Sequence, residues 1–280
     1  MKTSLSLYSP RVLPLLLGGL LSGCGAIEEF FIFHPSRTVR GTPSALGLRF
    51  EDVRFPAADG TKLHGWFVPA REGAASATLV WFHGNAGNIS DRLENLKIFR
   101  DSLDVHIFLF DYRGYGNSDG RISEKGTYQD AEGAWSYLQS RSDVDPKKLV
   151  FFGRSLGASV AVELALRYPP AGLILESPFL SVPAMARSII PLPIGRLFRT
   201  RYDSLAKIPQ VQVPLLVLHG DQDTVVPLSQ GKALFEAANE PKSFHLIAGA
   251  DHNDTYLVGG APYLKTLAEF LKEITRGPKG

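Results

Sequence analysis

From Arg49 onward the chain alternates continuous apolar runs with amphipathic stretches. "ATLVWFHG" (Ala77–Gly84) and "VHIFLFDY" (Val105–Tyr112) are apolar throughout, the pattern of strands covered on both faces. Between them "SDRLENLKIFRDSL" puts Leu93, Leu96, Phe99 and Leu103 on one side of a helix. "TYQDAEGAWSYLQSR" is a second amphipathic helix, "KKLVFFG" a strand, and a helix runs from Ser155 to Arg167. "GLILES", "PLLVLHG" and "KSFHLIAG" read as further strands, with helices over "SQGKALFEAAN" and "PYLKTLAEFLKEI". Ahead of all these, "LRFEDVRFPAADGTKLHGWFVPA" gives two short strands around a turn at Asp59-Gly60. The alternation predicts an α/β fold: one domain over residues 49–280, with a mostly parallel central sheet flanked by helices. The stretch from Pro178 to Pro209 breaks the pattern, with Pro183, Pro191 and Pro193 inside it. It is too long for a simple loop and too broken for one helix, and predicts a small cap over about residues 178–209. Such a cap lies over the C-terminal sheet edge, where folds of this kind place their sites.

The first residues follow a different logic. Lys2 and Arg11 bracket a positive start, Val12–Leu21 is apolar but short for a membrane span, and "LSGC" closes the segment at Cys24. That tetrapeptide resembles the bacterial lipobox, so residues 1–23 read as a lipoprotein signal peptide and Cys24 as the lipidated residue. Cys24 is the sole cysteine, which rules out an internal disulfide. Residues 24–48, with Phe30–Phe33 inside them, read as a tether that partly packs on the domain or at the membrane interface. Gly25 after the cysteine resembles the outer-membrane sorting pattern of enterobacterial lipoproteins. The expected location is the cell envelope, lipid-anchored in the outer membrane and facing the periplasm. Without residues 1–23, Lys+Arg falls from 30 to 28 and equals the 28 Asp+Glu. A formally neutral chain carries no electrostatic footprint for nucleic acid.

"VFFGRSLGASV" (Val150–Val160) carries the chemistry. Gly153-Arg154-Ser155-Leu156-Gly157 is G-x-S-x-G between a buried strand and a helix. In a nucleophile elbow the serine occupies a strained turn, flanking glycines avoid collisions with neighbouring backbone, and the helix N-terminus supplies free N–H groups. The plain alternative is that Ser155 only caps the helix. A serine nucleophile needs a base, and the base needs an orienting acid; in this fold class they follow in the order Ser, Asp or Glu, His. Downstream lie His219, His245 and His252. His219 ends a strand and His245 lies within one, whereas His252 in "GADHND" follows a strand in a small, polar loop. His252 is the candidate base, with His245 behind it. "HGDQDTVVP" offers Asp221 and Asp223 as acids, and Glu176 stands at the end of the preceding strand.

With the elbow, "HGDQDTVVP", "WFHGNAGN" (Trp81–Asn88) and "DYRGYGNSDG" (Asp111–Gly120) together, the chain resembles the α/β-hydrolase superfamily over nearly all of its length after Arg49. The resemblance implies that Asp223 is the acid, with Glu176 at the alternative position some members use. It implies an oxyanion hole made by the backbone N–H groups of Asn85 and Leu156, and a structural role for His83. "LESPF" and "YDSLAKIP" narrow the likeness to small-cap, often membrane-anchored serine hydrolases similar to fungal bud-emergence homologues and ABHD-type depalmitoylases. The family carries no metal or redox cofactor, and no metal-ligand spacing stands in the sequence. The implied function is hydrolysis of carboxylic esters or thioesters through Ser155, His252 and Asp223. The substrate would be a small molecule or an acylated partner, and the membrane would be met through Cys24. Two other readings share these residues: a serine peptidase, and a binding protein that keeps the fold without catalysis.

Overall fold

The computed structural model describes residues 32–71, 75–189 and 198–275. Cys24 and the expected signal peptide lie outside the described residues, as do residues 190–197 of the expected cap. The strands are β1 (His34–Pro35), β2 (Glu51–Pro56), β3 (Lys62–Val68), β4 (Ala77–Phe82), β5 (Ala86–Gly87), β6 (Val105–Asp111), β7 (Leu149–Arg154), β8 (Gly172–Glu176), β9 (Leu215–Gly220) and β10 (Lys242–Ile247). The helices are α1 (Leu93–Ser102), α2 (Glu124–Gln139), α3 (Leu156–Arg167), α4 (Val182–Ile189), α5 (Ser204–Lys207), α6 (Leu228–Ala237) and α7 (Thr255–Thr275).

Eight strands form one sheet in the order β10-β9-β8-β7-β4-β6-β3-β2. All neighbours from β6 to β10 pair in parallel, and β3 is antiparallel to both β2 and β6. The parallel strands are buried on both faces, which is why they read as unbroken apolar runs. Successive side chains point to opposite faces. Val80, Phe82 and Phe151 therefore join Ala131 and Ala134 of α2 and Val160 and Ala161 of α3 in one apolar cluster. Leu79, Trp81, Val150 and Phe152 join Leu96 and Phe99 of α1 and Tyr263 and Leu267 of α7 in the other. Each parallel strand ends at the same edge, so the loops after β4, β7, β8, β9 and β10 converge there.

The last helix differs from the sequence expectation. It starts at Thr255, seven residues before Pro262, and Gly260 at φ 47° separates two helical segments. Pro262 is tolerated because it lies in the first turn of the second segment, where no intrahelical donor is needed. The first segment grows directly out of the loop carrying His252.

Candidate active site

Ser155 joins β7 to α3 with φ 52° and ψ −117°, a conformation that non-glycine residues avoid and that stores strain. Its backbone N–H donates to the Glu176 carbonyl at 2.9 Å, which pins the turn to the end of β8. The flanking glycines are dictated by space. A Cβ at Gly157 would lie 1.9 Å from the Phe82 carbonyl oxygen, and one at Gly153 would lie 2.5 Å from the Gly157 oxygen. Ser155 thus occupies a forced turn rather than an ordinary helix cap, and its side chain makes no capping hydrogen bond.

The loops carrying the candidate acid and base follow β9 and β10. Asp223 Oδ2 receives His252 Nδ1 at 2.8 Å, and Asp223 Oδ1 accepts the N–H groups of Val225 at 2.9 Å and Val226 at 2.7 Å. Burial of Asp223 opposes its ionisation. The His252 hydrogen bond, the His252 charge and the Val226 N–H outweigh it, so the carboxyl is held below its usual value. Contact with an ionised carboxylate keeps the proton on Nδ1 and leaves Nε2 as the acceptor a serine nucleophile requires. Asp251, which sequence reasoning passed over, ties the two loops together. Its Oδ1 accepts the Thr224 N–H at 2.7 Å, the Thr224 hydroxyl at 2.9 Å and the His252 N–H at 2.7 Å. Asp221 accepts the Gly249 N–H at 2.7 Å, a loop-shaping bond.

The two other downstream histidines have different partners, although His219 Nε2 also lies 3.5 Å from Asp223 Oδ2. His219 is fully buried with Nε2 3.0 Å from the Val226 carbonyl, and His245 Nδ1 lies 3.2 Å from the Thr266 hydroxyl. Glu176, the alternative acid, is turned away from His252. Its carboxylate forms an ion pair with Arg154, Nε at 3.0 Å, and accepts the Thr255 hydroxyl at 2.8 Å and the Tyr263 hydroxyl at 2.5 Å. Arg154 also donates to the His252 carbonyl and, at 3.2 Å, to Asn253 Oδ1. The residue just before Ser155 therefore supports the backbone of the base loop, and a buried carboxylate balances its charge. A charged residue inside the elbow pentapeptide was the one sequence signal for this network.

On the other side of the elbow, a Cβ at Gly84 would lie 3.6 Å from Ser155 Cβ, which brings the β4–β5 loop against the serine. The N–H groups of Asn85 and Leu156 donate to no described turn, loop or side-chain acceptor. His83 below this loop is wholly buried. Burial and the nearby Arg92 charge push its pKa down to about 3, against a weaker upward pull from the Gly84 carbonyl its Nδ1 contacts at 2.7 Å. Such an imidazole stays neutral at ordinary pH.

The loop is also gripped from outside by the chain that precedes the domain. β1 pairs in parallel with β5, His34 opposite Ala86 and Pro35 opposite Gly87. The Asn85 amide donates to the Ile32 carbonyl, the Tyr115 hydroxyl donates to the Asn85 carbonyl at 2.7 Å, and Asn88 Nδ2 donates to the carbonyls of Ser36 at 3.1 Å and Thr38 at 2.8 Å. Phe33, buried, anchors the strap edge-on against Tyr202. Nothing in the pattern of residues 32–40 marked them as part of the site, because a two-residue strand has no periodicity to read. A protein lacking residues 1–40 is expected to show kcat on a short-chain ester roughly 10- to 100-fold below one lacking residues 1–31. The check is steady-state kinetics beside thermal melts showing both proteins folded; equal kcat in the two would leave the strap without a role in placing Asn85.

Among the described residues no group of three His, Cys, Asp or Glu side chains is placed to hold a metal ion. A family model described as serine aminopeptidase, S33 matches residues 73–207 and 194–255. An uncharacterized protein of Mycobacterium tuberculosis is 38% identical over 276 residues, covering 96% of this chain and 98% of its own. The α/β-hydrolase domain-containing protein WAV2 of Arabidopsis thaliana is 34% identical, over 89% of this chain and 88% of its own. Protein bem46 of Schizosaccharomyces pombe is 32% identical, over 83% and 80%. Among solved structures, the Pyrococcus furiosus esterase Pf2001 shares the fold with a TM-score of 0.71 at 20% identity, covering 86% of this chain and 98% of its own. The chain belongs to the α/β-hydrolase family, in the group that includes bem46 and WAV2.

Proposed function

We propose that the protein is a serine hydrolase that cleaves carboxylic esters or thioesters through an acyl-enzyme. The observation that carries this reading is the conjunction at one sheet edge of Ser155 at positive φ and the 2.8 Å contact of His252 with a buried Asp223. Ser155 Oγ attacks the acyl carbon while His252 Nε2 takes its proton, and the tetrahedral oxyanion is held by the N–H groups of Asn85 and Leu156. Each donor of that kind supplies about 3–4 kcal/mol of transition-state stabilisation. His252 then protonates the departing alcohol or thiol and activates the water that releases the acid. The exposed apolar side chains of Val225, on the loop that carries Asp223, and of Leu257 and Val258, in the first segment of α7 just after the His252 loop, suit a substrate with an acyl chain. The fold neighbour from Pyrococcus furiosus is an esterase.

The proposal extends to placement. Residues 1–23 act as a lipoprotein signal peptide, lipidated Cys24 anchors the protein in the outer membrane facing the periplasm, residues 24–48 tether it, and residues 178–209 form a small cap over the site. No helix among the described residues is long and apolar enough to cross a membrane. A peptidase reading is favoured by one observation, the description of the matching family model as a serine aminopeptidase. Initial rates on p-nitrophenyl esters, acyl thioesters and aminoacyl p-nitroanilides decide between them. The ester or thioester series is expected to exceed the anilides in kcat/KM by at least about 100-fold, since the proposed leaving group is an alcohol or thiol. Faster cleavage of the anilides would establish the peptidase instead.

A further inference from the structure

Beside the site lies a polar cavity of about 260 Å³, lined by Asp91, Arg92, Asn95, Arg154, Asn253 and Tyr256. It is walled by the start of α1, the end of β7, the base loop and the first turn of α7. Two guanidiniums face it. Arg154 is held by Glu176, the His252 carbonyl and Asn253. Arg92 has one partner, the Ala86 carbonyl, and its Nε is buried with none. The Asn95 amide, 4% exposed, has its Oδ1 unpartnered and makes no other described bond.

The acids around the cavity are committed elsewhere. Asp91 Oδ2 accepts the Asn88 N–H at 2.9 Å, Glu94 Oε2 accepts the Tyr256 hydroxyl at 3.1 Å, and Glu176 accepts two hydroxyls and pairs with Arg154 in the network described above. Burial, and next the Arg154 charge, work against the charge on Arg92, and the charges of Asp91 and Asp111 offset them in part. A half-buried guanidinium that repels its neighbour, with Asp91 and Asp111 near it but no carboxylate in hydrogen-bond contact, has donors left for an anion bound between the two. The position is specific: Arg92 contacts Ala86, next to the Asn85 donor, and Arg154 contacts the carbonyl of His252. Residues lining the cavity therefore bond to both loops that frame the proposed reacting carbonyl.

We propose that this cavity is a subsite for an anionic group, carboxylate or phosphate, carried by the substrate, with Arg92 as its principal contact. The assignment rests on the hydrolase reading and adds a substrate class to it: esters or thioesters bearing a negative charge near the scissile bond.

Two measurements test it, one independent of turnover. In the Ser155→Ala protein, inorganic phosphate is expected to raise the melting temperature in a saturable way, and the rise is lost on adding Arg92→Gln and partly kept with Arg92→Lys. In the active protein, phenyl butyrate is compared with 4-(butyryloxy)benzoate and with 4-(phosphonooxy)phenyl butyrate. At least one charged ester is expected to show a KM about tenfold below the neutral one. Arg92→Gln should raise that KM about tenfold while leaving kcat, and both parameters for phenyl butyrate, within twofold. Phosphate binding without preference for either charged ester would overturn the substrate assignment and leave a free-anion site. Equal losses on neutral and charged esters would make Arg92 a support of the Asn85 loop only. No phosphate effect and no charge preference would remove the site altogether. Failure of the hydrolase reading looks different, since no ester would then be turned over while the phosphate arm remained readable.

Discussion

Asp223→Asn is expected to lower kcat on a short-chain ester by about 10⁴-fold with the protein still folded. An asparagine can keep its oxygen on the Val225 and Val226 N–H groups, where Asp223 Oδ1 now sits. Its NH₂ then faces His252 Nδ1, the imidazole takes the tautomer with the proton on Nε2, and no acceptor remains for the Ser155 proton. Glu176→Gln is the informative contrast. Arg154 and Glu176 are both buried, so the change strands a guanidinium without its counter-charge and is expected to cost about 3 kcal/mol of stability. It leaves the His252 tautomer alone, so kcat of the folded fraction should stay within about tenfold of the parent. A reversal, with Glu176→Gln the catalytically dead variant, would move the acid to β8. The sign of the pH effect follows from the lowered Asp223 value. Its stabilising contact is fully present above the ordinary carboxylate pKa of about 3.9 and is lost only as pH falls through the lower folded-state value.

The larger effect is expected at Ser155. Ser155→Ala should reduce ester hydrolysis by roughly 10⁴- to 10⁶-fold, leaving the contribution of binding and the oxyanion donors. The substitution also removes a hydroxyl from a residue at φ 52° without changing the Cβ penalty, so the strain of the turn persists and the melting temperature should hardly move. Residual activity within tenfold of the parent would show that another group attacks the acyl carbon.

Much of the fold was legible in the chain. Unbroken apolar runs marked β4, β6 and β7 because parallel strands are buried on both faces, and a G-x-S-x-G between a strand and a helix marked Ser155 as the candidate nucleophile. The acid was harder to read. Asp221, Asp223 and Glu176 all sit at suitable chain positions, so the residues alone left them open and the resemblance pointed to Asp223; the side-chain directions make Asp223 the partner of His252, Asp221 a loop brace and Glu176 the partner of Arg154. The supports escaped for a related reason. Asp251, Arg154, Tyr115 and the strap at residues 32–40 act through long-range hydrogen bonds, which leave no period or spacing in the sequence.

An activated serine at position 155 is the claim on which the functional reading depends. Protein lacking residues 1–31, which keeps the strap, would be treated with a fluorophosphonate and mapped by peptide mass spectrometry beside its Ser155→Ala variant. The account predicts one adduct, on the peptide containing Ser155, and none on the variant. An unlabelled parent that is folded and monodisperse, or an adduct that persists in the variant, would contradict it.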